Sequence, residues 1–234
     1  MLPPDKQELI LTAAQHVFAT EGFHAARVDS IARLAGVAKG TIYLYFRSKE
    51  EILVALMENR FGRLRTLIRA GLEANTGDTT DLTTSAASAS AAGATATVQS
   101  QEAANAFRES IRRIIAAHFQ FYSEYKEFVA ILYGQLGRIA QGMEEPAKRS
   151  AEDLSRMIAG VLARGVESGV LRPIDPHTLA SALQGMIHAV AFVWSVGQND
   201  ASPAELSDLA FSLFWSGAAS SSSSSPASPQ HKGG

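Results

Sequence analysis

Apolar residues recur along this chain three and four positions apart, and no stretch shows the sustained alternation of a half-buried strand. Leu9, Ala13 and Val17, flanked by Ile10, Ala14 and Phe18, make the stripe of a first helix. Asp5 with Glu8 predicts a capping box at its start, and Gly22 supplies the stop. Ile31, Leu34 and Ala35 mark a short second helix ending at Gly36, and a third runs roughly from Lys39 to Tyr43. Ile31, Leu34, Ile42 and Phe46 are the expected core of this region. Ser48 with Glu51 opens a long helix that can run to Gly71. Pro146, Asp175-Pro176 and Ser202-Pro203 with Glu205 signal three later starts. The count is about nine helices, three short and six longer, so the expected fold class is all-α.

Two segments interrupt the pattern. From Ala74 to Ala103, 22 of 30 residues are Ala, Ser, Thr or Gly, and only Leu82 and Val98 are large and apolar. Ordering costs about 1–2 kcal/mol per residue, which so little burial does not offset, so the stretch reads as a flexible insertion. The alanines would sustain at most a frayed helix. From Gly217 the chain includes six consecutive serines, Ser220 to Ser225, and reads as a disordered tail. The expected organisation is a domain at 1–47, a larger helical domain at 48–216 carrying the insertion at 74–103, and the tail at 217–234.

Composition narrows the function. Of 234 residues 46% are hydrophobic, enough for a real core. The net charge of −2 excludes binding to nucleic acid through bulk charge. With no cysteine, thiolate nucleophiles, disulfides and Cys-type metal sites are excluded. The six histidines have no metal-ligand spacing, and no nucleophile elbow or phosphate loop occurs, so neither catalysis nor a cofactor or metal is expected. The first residues lack the pattern of a signal peptide. The most apolar run, Gly185 to Val196, has 12 residues where a membrane span needs about 20. A soluble, cytoplasmic protein without a membrane partner is the expectation.

Charge is nevertheless concentrated. Between Arg27 and Lys49, five cations (Arg27, Arg33, Lys39, Arg47, Lys49) face one anion, Asp29, a local net of +4 that leaves −6 elsewhere. A short amphipathic helix, a glycine-containing turn and a second short helix make a helix-turn-helix, whose second helix can enter a major groove. A basic reading head on an acidic body fits a protein that touches DNA through one small surface.

Ile31-Ala32, Ala35-Gly36-Val37, Lys39-Gly40-Thr41-Ile42-Tyr43, Tyr45-Phe46 and Lys49 closely resemble the DNA-binding signature of the TetR family of bacterial transcriptional regulators. Gly22-Phe23 before it, and Glu51 with Leu53 after it, fit the same pattern. The resemblance is strong over about residues 8–55 and, beyond that, limited to helix order and the texture around 166–173. It implies DNA contacts from Arg27, Lys39, Gly40, Thr41, Tyr43, Tyr45 and Lys49. Gly40 would let the helix approach the duplex, and Thr41 offers a hydroxyl for phosphate or base and a methyl for thymine. Tyr45 and Lys49 would donate to flanking phosphates, and Tyr43 would pack its ring on the first helix with its hydroxyl towards the backbone. Two positions depart from the family. Arg27 stands where a capping Thr is usual, and Ala38 where Ser is; a lost cap of this kind costs about 0.5–2 kcal/mol.

Beyond Ser48 the resemblance implies an all-helical domain for effector binding and dimerisation. The residues themselves support this. Leu179, Leu183, Met186, Val190 and Val193 form one stripe of the penultimate helix, while Ala182, Ile187, Ala191 and Trp194 cover another. The last helix carries Leu206, Leu209, Phe211, Leu213, Phe214 and Trp215. Helices so widely apolar are buried on more than one side, and a second copy of the chain is the economical partner, with Leu179, Leu183, Met186, Val190, Trp194, Leu206 and Leu213 at the interface. Phe107, Ile111, Ile114, His118, Phe121 and Tyr122 are candidate walls of a pocket for a small, largely apolar effector; the same stripe also reads as plain core. The sequence thus describes a homodimeric, ligand-responsive regulator, a repressor, acting on a near-palindromic double-stranded operator. The alternative is a helical binding or scaffold protein with a vestigial helix-turn-helix.

Overall fold

The computed structural model describes residues 4–76, 92–132, 145–197 and 200–220. They fold into helices α1 (Pro4–Glu21), α2 (Val28–Leu34), α3 (Lys39–Tyr45), α4 (Lys49–Thr76), α5 (Ala92–Glu124), α6 (Glu145–Glu167), α7 (Pro176–Val196) and α8 (Pro203–Ala218). After a break at Tyr125, residues 126–132 are helical again. Among the described residues there is no strand, only an isolated bridge between Leu171 and Ala219.

The start signals work where a side chain reaches the orphan amides. Asp175 accepts from the Thr178 amide with Pro176 behind it, and Ser202 with Glu205 closes a full capping box. Ser48 Oγ accepts from the Glu51 amide at 3.2 Å, but the Glu51 carboxylate takes the Arg47 amide in return. The side chain of Asp5, expected to box with Glu8, lies outside the described residues. Helix α1 already begins at Pro4, and the Glu8 carboxylate accepts from Arg60 and Asn59 of α4.

Two apolar cores result. The head packs Ile10, Ala14, Val17 and Phe18 of α1 against Ile31, Ile42, Phe46 and, past the boundary expected at 47/48, Ile52 and Leu56 of α4. Leu34 is 52% exposed, contrary to expectation, because the inward side of α2 is centred on Ile31, Ala32 and Ala35. Leu9 is likewise exposed, just outside the buried face of α1. The body core joins α4 to α8 around Phe61, Ile68, Ile114, Phe128, Leu162 and Leu183.

Both low-complexity segments are more ordered than expected at their edges. Helix α4 runs to Thr76 and α5 starts at Ala92, so 92–103 belong to a helix; alanine, the strongest helix former, fills four of these twelve positions. The centre of the expected insertion, 77–91, lies outside the described residues. At the other end Ala218 is buried, Arg172 N donates to Ala218 O at 2.8 Å and Ser220 N to Val170 O at 3.0 Å. Residues 217–220, expected to belong to the tail, are thus held to the body, and 221–234 lie outside the described residues. Residues 176–195 are long and apolar enough to cross a membrane by length and composition, which the 12-residue reading missed. Leu179, Leu183, Ile187, Ala191 and Trp194 on that helix are instead buried within the protein.

Candidate DNA-reading head and effector core

Helix α2 ends in a turn that fixes the angle to α3. Gly36 adopts φ +66°, the Val37 amide donates to Ala32 O and the Gly36 amide to Arg33 O, a paired arrangement that satisfies the last carbonyls. Neither Arg27 nor Ala38 gives a side-chain cap, as their chemistry dictates. Ile42 and Phe46 anchor α3 in the head core. Outward lie Lys39, Gly40, Tyr43 and Leu44, with Thr41 half-buried. Nothing would come within 4 Å of a methyl added at Gly40, so the start of α3 is bare. Lys39 Nζ sits 2.9 Å from Asp29 Oδ1, and Arg27 3.7 Å from the same carboxylate. The Lys39 hydrogen bond holds the Asp29 carboxyl below its usual range and raises the lysine in turn. All three groups face solvent, so these pairs open readily to a phosphate.

The Tyr43 ring is half-exposed, which leaves its hydroxyl end open to solvent. Two expectations change. The Tyr45 hydroxyl is buried without a protein partner, so it does not reach a flanking phosphate. Lys49 turns inward: Nζ donates to His24 O at 3.0 Å and Ala26 O at 3.1 Å and lies 4.8 Å above the Phe23 ring. It staples the α1–α2 turn to α4. Sequence reasoning passed over Leu44, at 69% the most exposed large apolar side chain among the described residues; its spacing of four from Gly40 was the available signal.

In the body, α5 turns Ile111, Ile114, His118, Phe121 and Tyr122 fully inward, with Phe107 half-buried beside Gly165 and Trp215. Burial pushes His118 down to about 4, so it is neutral, and the positive field of a protonated His188 would add to the cost of charging it. Its Nδ1 lies 2.7 Å from Ile114 O and must carry the proton that it donates there. Nε2 is then a bare lone pair, buried with no protein partner. Tyr122 stands between the two imidazoles, 6.2 Å from His118 and 5.9 Å from His188 by ring centroids. These residues are packed core with one unsatisfied acceptor. A groove of about 580 Å³ lies elsewhere, between α5 and the start of α8, lined by Arg112, Arg113, Gln120, Ser207 and Asp208.

Of the residues expected at a dimer interface, Leu179, Leu183 and Leu206 are buried inside the protomer, and Trp194 is buried with its Nε1 donating to Ala201 O at 3.0 Å. Met186 and Val190 pack half-buried against the same core. The inward sides of α7 and α8 consume these residues, leaving Val193, Leu209 and Leu213 exposed, with the small Ala182, Gly185 and Ala189 beside Val193 on α7.

Residues 10–56 match the family model of bacterial regulatory proteins, tetR family, and residues 104–217 that of the tetracyclin repressor-like, C-terminal domain. The chain is 23% identical over 209 residues to the fatty acid metabolism regulator protein of Bacillus subtilis (strain 168), spanning 89% of this chain and 93% of the relative. Among solved structures, the fatty acid degradation regulator FadR from Bacillus halodurans superposes with a TM-score of 0.67 at 23% identity, covering 90% of this chain and 98% of that one. FadR from Bacillus subtilis in complex with stearoyl-CoA gives 0.61 at 23% identity, with the same coverage. The two matched domains, in this order and around this helix-turn-helix, place the chain in the TetR family of DNA-binding transcriptional regulators.

Proposed function

We propose that the protein is a homodimeric repressor that reads a near-palindromic operator through α3 and releases it on binding a small, largely apolar effector. The observation that carries this reading is the bare face of α3, where Gly40, Tyr43 and Leu44 point away from a head anchored by Ile42 and Phe46. Arg27, Lys39 and Tyr43 supply phosphate contacts and Thr41 a base or phosphate contact. Two copies meet through Val193, Leu209 and Leu213, joined by the half-buried Met186 and Val190, which sets the half-sites about one helical turn or a multiple apart. The effector enters the apolar core around Phe107, Ile111, Ile114, Phe121 and Tyr122, with His118 accepting a hydrogen bond. The complex of FadR with stearoyl-CoA makes a long-chain acyl thioester the first ligand to try. The protein acts in the cytoplasm, by binding rather than by catalysis.

The test is a gel-shift titration on the DNA upstream of the chain's own coding sequence, in excess nonspecific duplex. The expected result is a complex that survives the competitor and is dissolved by stearoyl-CoA but not by free coenzyme A. Equal competition by nonspecific duplex refutes the regulator reading. Specific binding indifferent to apolar ligands refutes only the effector assignment.

A further inference from the structure

We propose that Leu44 reads a base, packing against the C5-methyl group of a thymine in the major groove of the operator. The inference rests on α3 being the DNA-reading element. One side of α3 is spent on the head: Ile42 is fully buried, Phe46 follows it into the core, and Tyr45 turns its hydroxyl inward. Gly40 and Leu44, four residues apart, share the opposite side. Since Gly40 leaves that side bare, a duplex can approach until Leu44, one turn later, reaches the groove floor. At 69% exposure Leu44 is the least covered of the large apolar side chains exposed among the described residues.

A single exposed leucine is ordinary on a protein surface. Its setting here is not. Lys39, Thr41 and Tyr43 on the same short helix all bring a hydrogen-bonding group, whereas Leu44 brings none and gains nothing from a phosphate or a ribose hydroxyl. Major-groove edges of guanine, adenine and cytosine present donors and acceptors that a leucine would strip of water without replacing it. The thymine methyl is the apolar feature on that surface, so Leu44 selects one A·T pair, in one orientation, per half-site.

Selection from a library of random duplexes first defines the half-site. Each thymine is then replaced by deoxyuridine, which removes only the methyl group. One position per half-site should cost wild type about fourfold in affinity, and about fifteenfold with both half-sites changed, the loss of one buried methyl each. Leu44→Ala should bind the thymine duplex more weakly by a comparable factor, lose base preference at that position alone, and ignore the deoxyuridine change there. The two losses would then fail to add. Leu34→Ala, which trims an exposed leucine of α2 that lines a groove against His16, Val17 and Thr20 of α1, should behave as wild type. The proposal is overturned if no single deoxyuridine weakens wild type, if Leu44→Ala remains as sensitive to deoxyuridine as wild type, or if Leu34→Ala has the same effect. A wild-type protein that selects no sequence would overturn the DNA-reading role of α3 and this assignment with it.

Discussion

Lowering the pH from 7.5 to 5 should remove about 2 kcal/mol of folding stability through His118 alone. Burial holds its imidazole at about 4 in the folded protein, against 6.5 for an ordinary histidine. The unfolded chain therefore binds the proton first, and stability is fully present above pH 6.5 and lost as the pH falls towards 4. Integrating proton uptake between these values gives about 2 kcal/mol at pH 5 and about 3 at pH 4. His188, also pushed down to about 4 by burial, acts in the same direction. It keeps some contact with solvent, so its share is smaller. The lowered carboxyls of Asp29, Asp175 and Glu205 also favour the folded state, but theirs is lost only below about pH 4.5, outside this window. Urea unfolding at fixed protein concentration and ionic strength, followed by circular dichroism at pH 7.5, 6 and 5, measures the slope. His118→Gln keeps an amide donor for Ile114 O and removes the titration, so its profile should flatten by the His118 share. Parallel profiles for wild type and His118→Gln would refute the reasoning.

Three further outcomes follow from the contacts. Lys49→Ala should lower the melting temperature and DNA affinity together while leaving the salt dependence of binding unchanged, whereas removal of a true phosphate contact reduces that slope by about 0.9. Leu213→Glu should yield folded monomers by sedimentation, while Leu183→Glu, which buries an unpaired charge inside the protomer, should unfold it. In a helix interior Gly→Ala ordinarily gains about 1 kcal/mol, but at Gly165 the new methyl collides with the Phe107 ring, so Gly165→Ala should destabilise by about 1–3 kcal/mol in urea unfolding, and Phe107→Leu should restore part of that loss.

What the sequence could reveal was set by how local the cause is. The caps at Asp175 and Ser202 and the turn at Gly36 depend on residues within a few positions, and they form as read. The orientation of a side chain depends on what packs opposite, which spacing does not encode. Lys49 and Tyr45 match a motif that identifies residue types; only the folded head shows that one ammonium is bound by two carbonyls and one hydroxyl is enclosed. Helix α7 is apolar nearly all round, so its periodicity cannot say which line faces a partner and which the protomer. Leu179 and Leu183 fell on the wrong side of that division, and Val193 emerges as the exposed member of the stripe. Arg60 gave no signal at all, because its partners on α1 lie 45 and 52 residues away in the chain.

Arg60 is the place where the head and the body are held to one another. Helix α4 serves both cores, giving Ile52 and Leu56 to one and Met57, Phe61, Leu64 and Ile68 to the other. At the junction the Arg60 side chain is 1% exposed; its Nε donates to Gln15 Oε1 at 2.9 Å and its Nη1 to Glu8 at 2.7 Å, both on α1. Its guanidinium also lies 4.4 Å from the centroid of the Tyr125 ring, at the break after α5. Tyr125 in turn packs 4.8 Å from Phe121 in the body core. The following turn repeats the connection: Phe128 and Val129 belong to the body, Ile131 enters the head core, and His16 of α1 is 2.6 Å from Glu127. A buried charge keeps its stability only while its partners stay in place; removing one commonly costs about 3–5 kcal/mol. Any rearrangement around Phe121 and Tyr125 therefore meets Arg60, which bonds α1 at one end and lies over the Tyr125 ring at the other. On the proposed effector reading, a ligand that favoured one arrangement of those rings would bias the placement of α1 and, through it, of the reading head, and only that difference in affinity can shift the equilibrium.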